Sequence, residues 1–381
     1  MNINELGLYI HIPFCKSKCY YCDFNSYASK SEIIPIYCNA LIKEIEYYDS
    51  IINKNKYRVK SVFIGGGTPS FIDSEYLAKI LEKCRDIFEL EENAEITIEA
   101  NPGTLSKEKL NAYKSAEINR LSLGLQAWQD RLLKSLGRIH TAAEFVENLF
   151  AAREVGFNNI SVDLIFGLPG QSLSEWLQTL DNVIKLNVNH LSCYSLKIEE
   201  GTVLHEKIKN CEIAYPDEEL DRDMYHKTIA ILNKNGFIHY EISNFSRPGF
   251  ESIHNLIYWN VEPYIGIGAG AHSYFEGTRY NNEEIPENYI SAISEGKIPK
   301  KNIDVLTFQD SISEYLILGL RLTRGIKIEE FKQKFGKDLF ELYGGKIDNL
   351  IKRELIRIEN GHLKLTAIGL DLANQVFLEF I

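Results

Sequence analysis

The apolar run Leu8–Phe14 passes straight into Cys15-Lys16-Ser17-Lys18-Cys19-Tyr20-Tyr21-Cys22, a Cys-x3-Cys-x2-Cys stretch. Three of the seven cysteines thus fall within eight residues, while Cys38, Cys84, Cys193 and Cys211 are scattered. An odd cysteine count in a chain of 381 residues does not suit a secreted disulfide framework. Structural zinc wants four ligands, and no fourth Cys or His lies near in sequence. A redox dithiol needs only two thiols. Three soft thiolates in one tight loop suit a [4Fe–4S] cluster with one iron left open, held by Cys15, Cys19 and Cys22.

Working outward from the loop, further β-branched runs recur at Val62–Ile64, Glu95–Ala100, Arg120–Gln126, Ile160–Phe166 and Leu191–Leu196. Stretches of helical period lie between them, near Glu32–Ile51, Ser74–Phe88, Ser106–Ser115, Thr141–Val155 and Leu173–Leu186. Ser172 and Ser174 are candidate N-caps of the last helix, and Gly156 is a stop for the one before it. Alternating strands and helices predict parallel strands joined by right-handed crossovers. Periodicity alone does not choose between a partly closed barrel and an open sheet. The strand ends carry the distinctive residues. Ile64 runs into Gly65-Gly66-Gly67-Thr68-Pro69-Ser70, Ala100 into Asn101-Pro102-Gly103, and Phe166 into Gly167-Leu168-Pro169-Gly170, with Glu99, Gln126 and Asp163 beside such ends. In parallel α/β architectures that edge carries the chemistry, so these residues are expected to form one site.

After about Phe245 the pattern changes. Residues 252–259 read Ser-Ile-His-Asn-Leu-Ile-Tyr-Trp, and a glycine-rich turn at Gly266–Gly270 leads into His272. From Asn302 the chain reads as three helices, two short runs around Asn360-Gly361, and a last helix. Asn-Gly between short apolar runs predicts a hairpin, and three helices with a hairpin predict a winged-helix-like α+β module. The expected organisation is a barrel over residues 1–240, a connecting segment over 241–300 and this module over 301–381.

The chain carries 53 acidic against 42 basic side chains, a net charge of −11. Residues 300–381 hold 13 Lys and Arg against 12 Asp and Glu, too even a balance for a DNA-reading wing. No nucleic-acid partner is expected. No apolar run approaches the ~18 residues of a membrane span, and Met1–Leu8 lacks a cationic-then-apolar leader. A cytoplasmic protein without a transmembrane segment is the expectation, and a reducing cytoplasm suits an oxygen-sensitive cluster.

Cys-x3-Cys-x2-Cys after the first strand, with Gly-Gly-Thr-Pro after the second, resembles the radical S-adenosylmethionine (SAM) superfamily. The resemblance extends over Leu8–Ile198 and Ile253–Ser273, to the oxygen-independent coproporphyrinogen III oxidase-like branch. It implies an incomplete (β/α)6 barrel with SAM on the open iron. Carried over by position, Gly66, Gly67 and Thr68 resemble the turn that meets the methionyl amine, and Glu99 would pair with its ammonium. Gln126 would meet polar groups nearby, Arg138 the carboxylate and Asp163 the ribose, with Tyr9, Tyr21, Lys197 and His272 lining the remainder. The dehydrogenases of this branch have a further cysteine two positions after the third; here Phe24 stands in its place. Only 14 residues precede Cys15, where the dehydrogenases carry a longer segment. Both features resemble the branch's heme chaperones, the HemW family. His254-Asn255-Leu256-Ile257-Tyr258-Trp259 is similar to their heme-associated motif, implying His254, Tyr258 and Trp259 as heme contacts. If that segment is helical, His254 and Tyr258 share a face one turn apart. The implied function is heme binding and transfer to acceptor hemoproteins, membrane-associated respiratory ones among them. The alternative is oxidative decarboxylation of coproporphyrinogen III, so whether the chain is an enzyme stays open. A radical SAM enzyme acting on RNA is disfavoured by the acidic balance.

Overall fold

The computed structural model describes residues 3–381, so the first two residues of the Met1–Leu8 stretch lie outside it. Six strands lie side by side in chain order: β1 (Asn4–Ile12), β2 (Tyr57–Gly66), β3 (Leu90–Ala100), β4 (Arg120–Gln126), β5 (Asn159–Phe166) and β6 (His190–Ser195). Every neighbouring pair is parallel. Helices Ile34–Tyr47, Ser74–Ile87, Lys107–Ser115, Ala142–Glu154 and Leu173–Lys185 make the crossovers. The continuous apolar character of the strands has a simple cause. A parallel sheet is covered on both faces, and all seven residues of β4 are buried. The helix starts are chemically defined. Thr141 with Glu144, and Ser172 with Glu175, form capping boxes, and Ser106 accepts from the Lys109 amide.

The six strands do not close on themselves. Beyond β6 the sheet continues antiparallel through β8 (Asn244–Ser246) to β7 (Ile238–Glu241). Beyond β1 it continues through β9 (Tyr264–Ile267), parallel to β1, and then antiparallel through β10 (His272–Phe275), β11 (Thr278–Asn282) and β12 (Lys300–Val305). The result is one open, twelve-stranded sheet built on an incomplete (β/α)6 barrel. Its edge strand β12 carries the sheet past residue 300.

The segment between Leu196 and Phe245 holds elements that hydrophobic period does not reveal: helices Val203–Lys209 and Glu218–Lys234, and β7. Seventeen residues of helix Glu218–Lys234 bury only Met224, Tyr225, Thr228 and Leu232, so the apolar stripe is thin.

The C-terminal module runs helix Phe308–Gly319, β13 (Ile326–Lys327), helices Ile328–Phe335 and Leu339–Lys352, then the hairpin β14 (Ile356–Glu359) and β15 (His362–Leu365). This is the winged-helix order, with the sheet arranged β13-β15-β14. Asn360 and Gly361 both take positive φ, 50° and 75°, as a two-residue hairpin turn of the right twist requires. The module has its own core around Leu316, Phe331, Ile347 and Leu363. Its tail is two short helices, Ala367–Asp371 and Ala373–Leu378, where the sequence suggests one. Among the described residues no helix is long and apolar enough to cross a membrane.

Candidate cluster site and adjoining cavity

The cysteine loop leaves the C-terminal end of β1 and is pinned by backbone bonds: Cys15 N to Tyr27 O at 3.0 Å, Tyr27 N to Pro13 O at 2.7 Å and Tyr20 N to Leu136 O at 2.9 Å. Cys15, Cys19 and Cys22 line one cavity. Each sulfur has a polar neighbour: Thr68 Oγ1 donates to Cys15 Sγ at 3.5 Å, Arg138 Nη1 donates to Cys19 Sγ at 3.4 Å, and Ser26 Oγ lies 3.7 Å from Cys22 Sγ. Burial pushes the Cys15 and Cys22 thiols up, so a ligand that takes thiolates must displace their protons. Among the described residues no three His, Cys, Asp or Glu side chains converge on a single-ion site. Gly67 is part of the cradle: a Cβ there would stand 2.8 Å from Phe14 O and 3.0 Å from Cys15 Sγ.

The ends of β2 to β5 supply the opposite wall. Gly66, at φ +113°, donates its amide to Glu99 Oε2 at 3.1 Å. Burial, then the nearby charge of Asp163, pushes the Glu99 carboxyl up to about 8. Such a carboxyl is waiting for a cation. Asp163 accepts from Ser122 Oγ at 3.1 Å. A bulge between Gly124 and Gln126 breaks the β4 register, and Gln126 sits at φ +67°. The bulge turns the Gln126 side chain into the cavity, a common use of bulges at sites. Gln126 Oε1 and Arg138 Nε are buried without partners. Arg138 Nη2 donates to Asn101 Oδ1 at 2.6 Å and Gly124 O at 2.7 Å, and Asn101 Nδ2 donates to Thr68 Oγ1 at 2.9 Å. Asn101 is thus a member of the site that sequence reasoning passed over, although the strand end Asn101-Pro102-Gly103 marked its position. With an anion receptor, a charge-starved carboxylate and unpaired amide and guanidinium atoms, the residues fit an amino-acid moiety beside an iron–sulfur cluster.

Tyr21, Gly66, Gly67, Thr68, Glu99, Gln126, Arg138 and Asp163 line this cavity together. Tyr9 and His272 do not; they line a second, larger cavity of about 750 Å³, which shares Phe24, Gly66 and Glu99 with the first. Lys197 joins neither: it follows β6 as an exposed side chain, so the barrel end does not present it to either cavity. In the second cavity His11 donates Nε2–H to Asn25 O at 2.9 Å and accepts the Tyr9 hydroxyl proton at Nδ1, also 2.9 Å away. Burial lowers the His11 pKa to about 4, which keeps the ring neutral in that tautomer. Tyr258, Trp259, Tyr264 and Tyr274 give the cavity aromatic walls, and Ile317 and Leu318 of the C-terminal module close one side.

His254 sits behind the cavity wall rather than in it. The segment is helical, Ile253–Trp259, and His254 and Tyr258 do share a face. The imidazole, however, is 2% exposed and does not line the cavity. Its Nδ1 bonds Ser61 Oγ at 2.7 Å and its Nε2 bonds Tyr258 Oη at 2.8 Å. Both nitrogens are hydrogen-bonded, so ligation of iron by His254 would require Ser61 or Tyr258 to give up its bond. Tyr258 and Trp259 reach the cavity; His254 stands behind them.

The radical SAM superfamily model matches residues 9–183, and the HemN C-terminal domain model matches residues 306–372. The heme chaperone HemW of Bacillus subtilis is 39% identical over 374 residues, covering 98% of both chains, and that of Lactococcus lactis is 38% identical over 373 residues, covering 98% of this chain and 96% of the relative. The chain belongs to the HemW family. It is also similar to the solved structure of coproporphyrinogen III oxidase (HemN) from Escherichia coli, a radical SAM enzyme. That likeness has a TM-score of 0.87 at 25% identity and covers 99% of this chain and 90% of that one. Membership of the radical SAM superfamily implies a [4Fe–4S] cluster and SAM for HemW proteins. Phe24 is 64% exposed and lies where the two cavities meet.

Proposed function

We propose that the protein is a heme carrier: it binds heme in the 750 Å³ cavity and delivers it to acceptor hemoproteins in the cytoplasm or at the membrane face. The observation that carries this reading is the cavity itself. It is large, concave and aromatic-walled, within the ordinary size range of cofactor sites, and it abuts the cysteine site. On this reading residues 1–240 hold the cluster and SAM, residues 241–300 build the aromatic wall, and the module 301–381 closes it.

When bound, the cluster and SAM supply one-electron chemistry at an iron with an open position. The chain's own residues have separable tasks. Cys15, Cys19 and Cys22 hold the iron, while Thr68 and Arg138 direct hydrogen bonds at two of the sulfurs. Glu99 accepts the ammonium of the amino-acid moiety and exchanges its proton for that charge, and Arg138 meets the carboxylate. Gln126 and Asp163 take the remaining polar groups. Tyr258 and Trp259 offer aromatic surface to a flat macrocycle, with Phe24 apolar between the two sites. Phe24 has no proton to give or take, which is why a carrier role ranks above catalysis at this position.

Anaerobic reconstitution of the cluster followed by heme titration in the Soret region tests the reading. Saturable binding at about one heme per chain is expected; a linear, unsaturable response would sink it. The fold likeness to coproporphyrinogen III oxidase favours one second reading, oxidative decarboxylation of coproporphyrinogen III. Turnover of the propionates by the reduced protein with SAM, at catalytic rates, would put that reading first.

A further inference from the structure

Arg279 on β11 is the one permanent cation among the described residues that line the 750 Å³ cavity. Its guanidinium is already engaged. Nε and Nη2 donate to the two carboxylate oxygens of Glu314 at 2.5 and 2.6 Å, and Nη1 donates to the Tyr264 hydroxyl at 3.1 Å. Glu314 stands on helix Phe308–Gly319 of the C-terminal module and lines the same cavity. The bridge therefore joins the main sheet to the module at the wall of the cavity. It is reachable, with side-chain exposures of 28% for Arg279 and 25% for Glu314. The guanidinium plane also lies over the Tyr274 ring at 4.8 Å, a contact that orients the fork whichever carboxylate it holds.

The two-oxygen, two-nitrogen geometry is the one any carboxylate makes with arginine. A heme propionate is a carboxylate on a short flexible arm, chemically the same group as the glutamate side chain. The other acids in the wall, Glu99 and Glu262, offer it nothing. We propose that Arg279 is the carboxylate receptor of this cavity, and that a propionate entering it takes the place of Glu314 and frees helix Phe308–Gly319 from β11. The proposal rests on the heme reading above and adds what recognises the ligand's acid groups. It also gives the carrier a way to signal its load: the freed Glu314 and the helix that bears it differ between empty and loaded protein, on a surface an acceptor can meet.

The experiment compares heme with heme dimethyl ester, in which the propionates are neutral, on the reconstituted full chain. Wild type should bind heme about tenfold or more tighter than the ester. Arg279→Gln should lose about that factor for heme and leave the ester unchanged. Glu314→Gln, which removes the competitor and is the milder change for folding, should tighten heme several-fold and again leave the ester unchanged. Hydrogen exchange over residues 308–319 should rise on heme binding and stay flat with the ester. Equal affinity of wild type for both ligands would overturn the proposal while leaving the heme reading intact. So would equal effects of Arg279→Gln on both ligands, or no change in exchange. Failure of wild type to bind either ligand would instead remove the reading beneath it.

Discussion

The imidazole of His254 is closed in by Ser61 and Tyr258, stacked on Phe63 at a centroid distance of 5.1 Å, and fully buried. Burial, then the charge of Arg120, lowers its pKa to about 3. It therefore acts as the strut that aims Tyr258. His254→Ala removes two hydrogen bonds and opens a cavity, and should cost about 2–4 kcal/mol in urea unfolding. The pH dependence follows from the sign of the shift. The folded pKa lies below the unfolded value near 6.5, so His254's contribution is complete above about pH 6.5 and is lost as pH falls towards about 3. Burial lowers His11 and His140 to about 4 as well, while the raised carboxyls of Glu99 and Glu241 act in the opposite sense, so the test is a comparison: between pH 6.5 and about 3, His254→Ala should lose less stability than wild type does. Identical acid slopes would contradict this. The residue scale also shows the limit of motif reading. Spacing put His254 beside Tyr258 but said nothing of direction, because which way a helical face turns depends on what packs behind it. Asn101 escaped for the opposite reason: an asparagine in an Asn-Pro-Gly turn looks like turn chemistry until Arg138 and Thr68 are seen on its amide.

At the scale of the element, the site is a row of strand ends, and β4 shows how one end is shaped. Gly124 precedes the bulge that turns Gln126 inward, and a Cβ there would stand 2.9 Å from Asn101 Oδ1, 3.0 Å from Gln126 Oε1 and 3.1 Å from Arg138 Nη2. Gly124→Ala should push apart the groups that receive the amino-acid moiety while leaving the cysteine loop in place. SAM affinity should fall at least tenfold, with iron and sulfide content and the far-ultraviolet spectrum unchanged. Isothermal titration alongside iron analysis checks this; wild-type SAM affinity would refute it. Elements of this kind were readable in advance because burial on both faces forces unbroken apolar runs: β4 spans the same Arg120–Gln126 that composition marks. Helix Glu218–Lys234 and the four-residue β7 were not. One keeps most of its surface in water, and the other is too short for a period to register.

Among the described residues the two main cores are in contact, a large one through the sheet and a smaller one in the C-terminal module, with a minor cluster around Leu132 and Leu136 beside them. Much of what joins them is polar. Glu241 at the end of β7 forms a bridge pair with Leu322, and Thr323 N donates to Tyr240 O at 3.1 Å. The Glu241 carboxylate is fully buried, with Arg321 Nη2 at 3.6 Å as its counter-charge. Arg321 in turn lies 4.3 Å over the Trp259 ring, so the module is tied to the aromatic wall of the cavity as well as to the sheet edge. Burial raises the Glu241 pKa and Arg321 opposes that rise. Arg321→Ala would strand a buried acid and uncover an indole face. The amide of Ser243 and the side chain of Asn244 still donate to Glu241, which softens the loss to about 2–4 kcal/mol. That loss falls on the junction, so calorimetry should show the module's transition separating to lower temperature while the barrel's stays near its wild-type position. Arg321→Lys keeps the charge but not the flat stacking plane, and should recover only part of the loss. A single endotherm at the wild-type midpoint in Arg321→Ala would show that the two cores are held together by something other than this arginine.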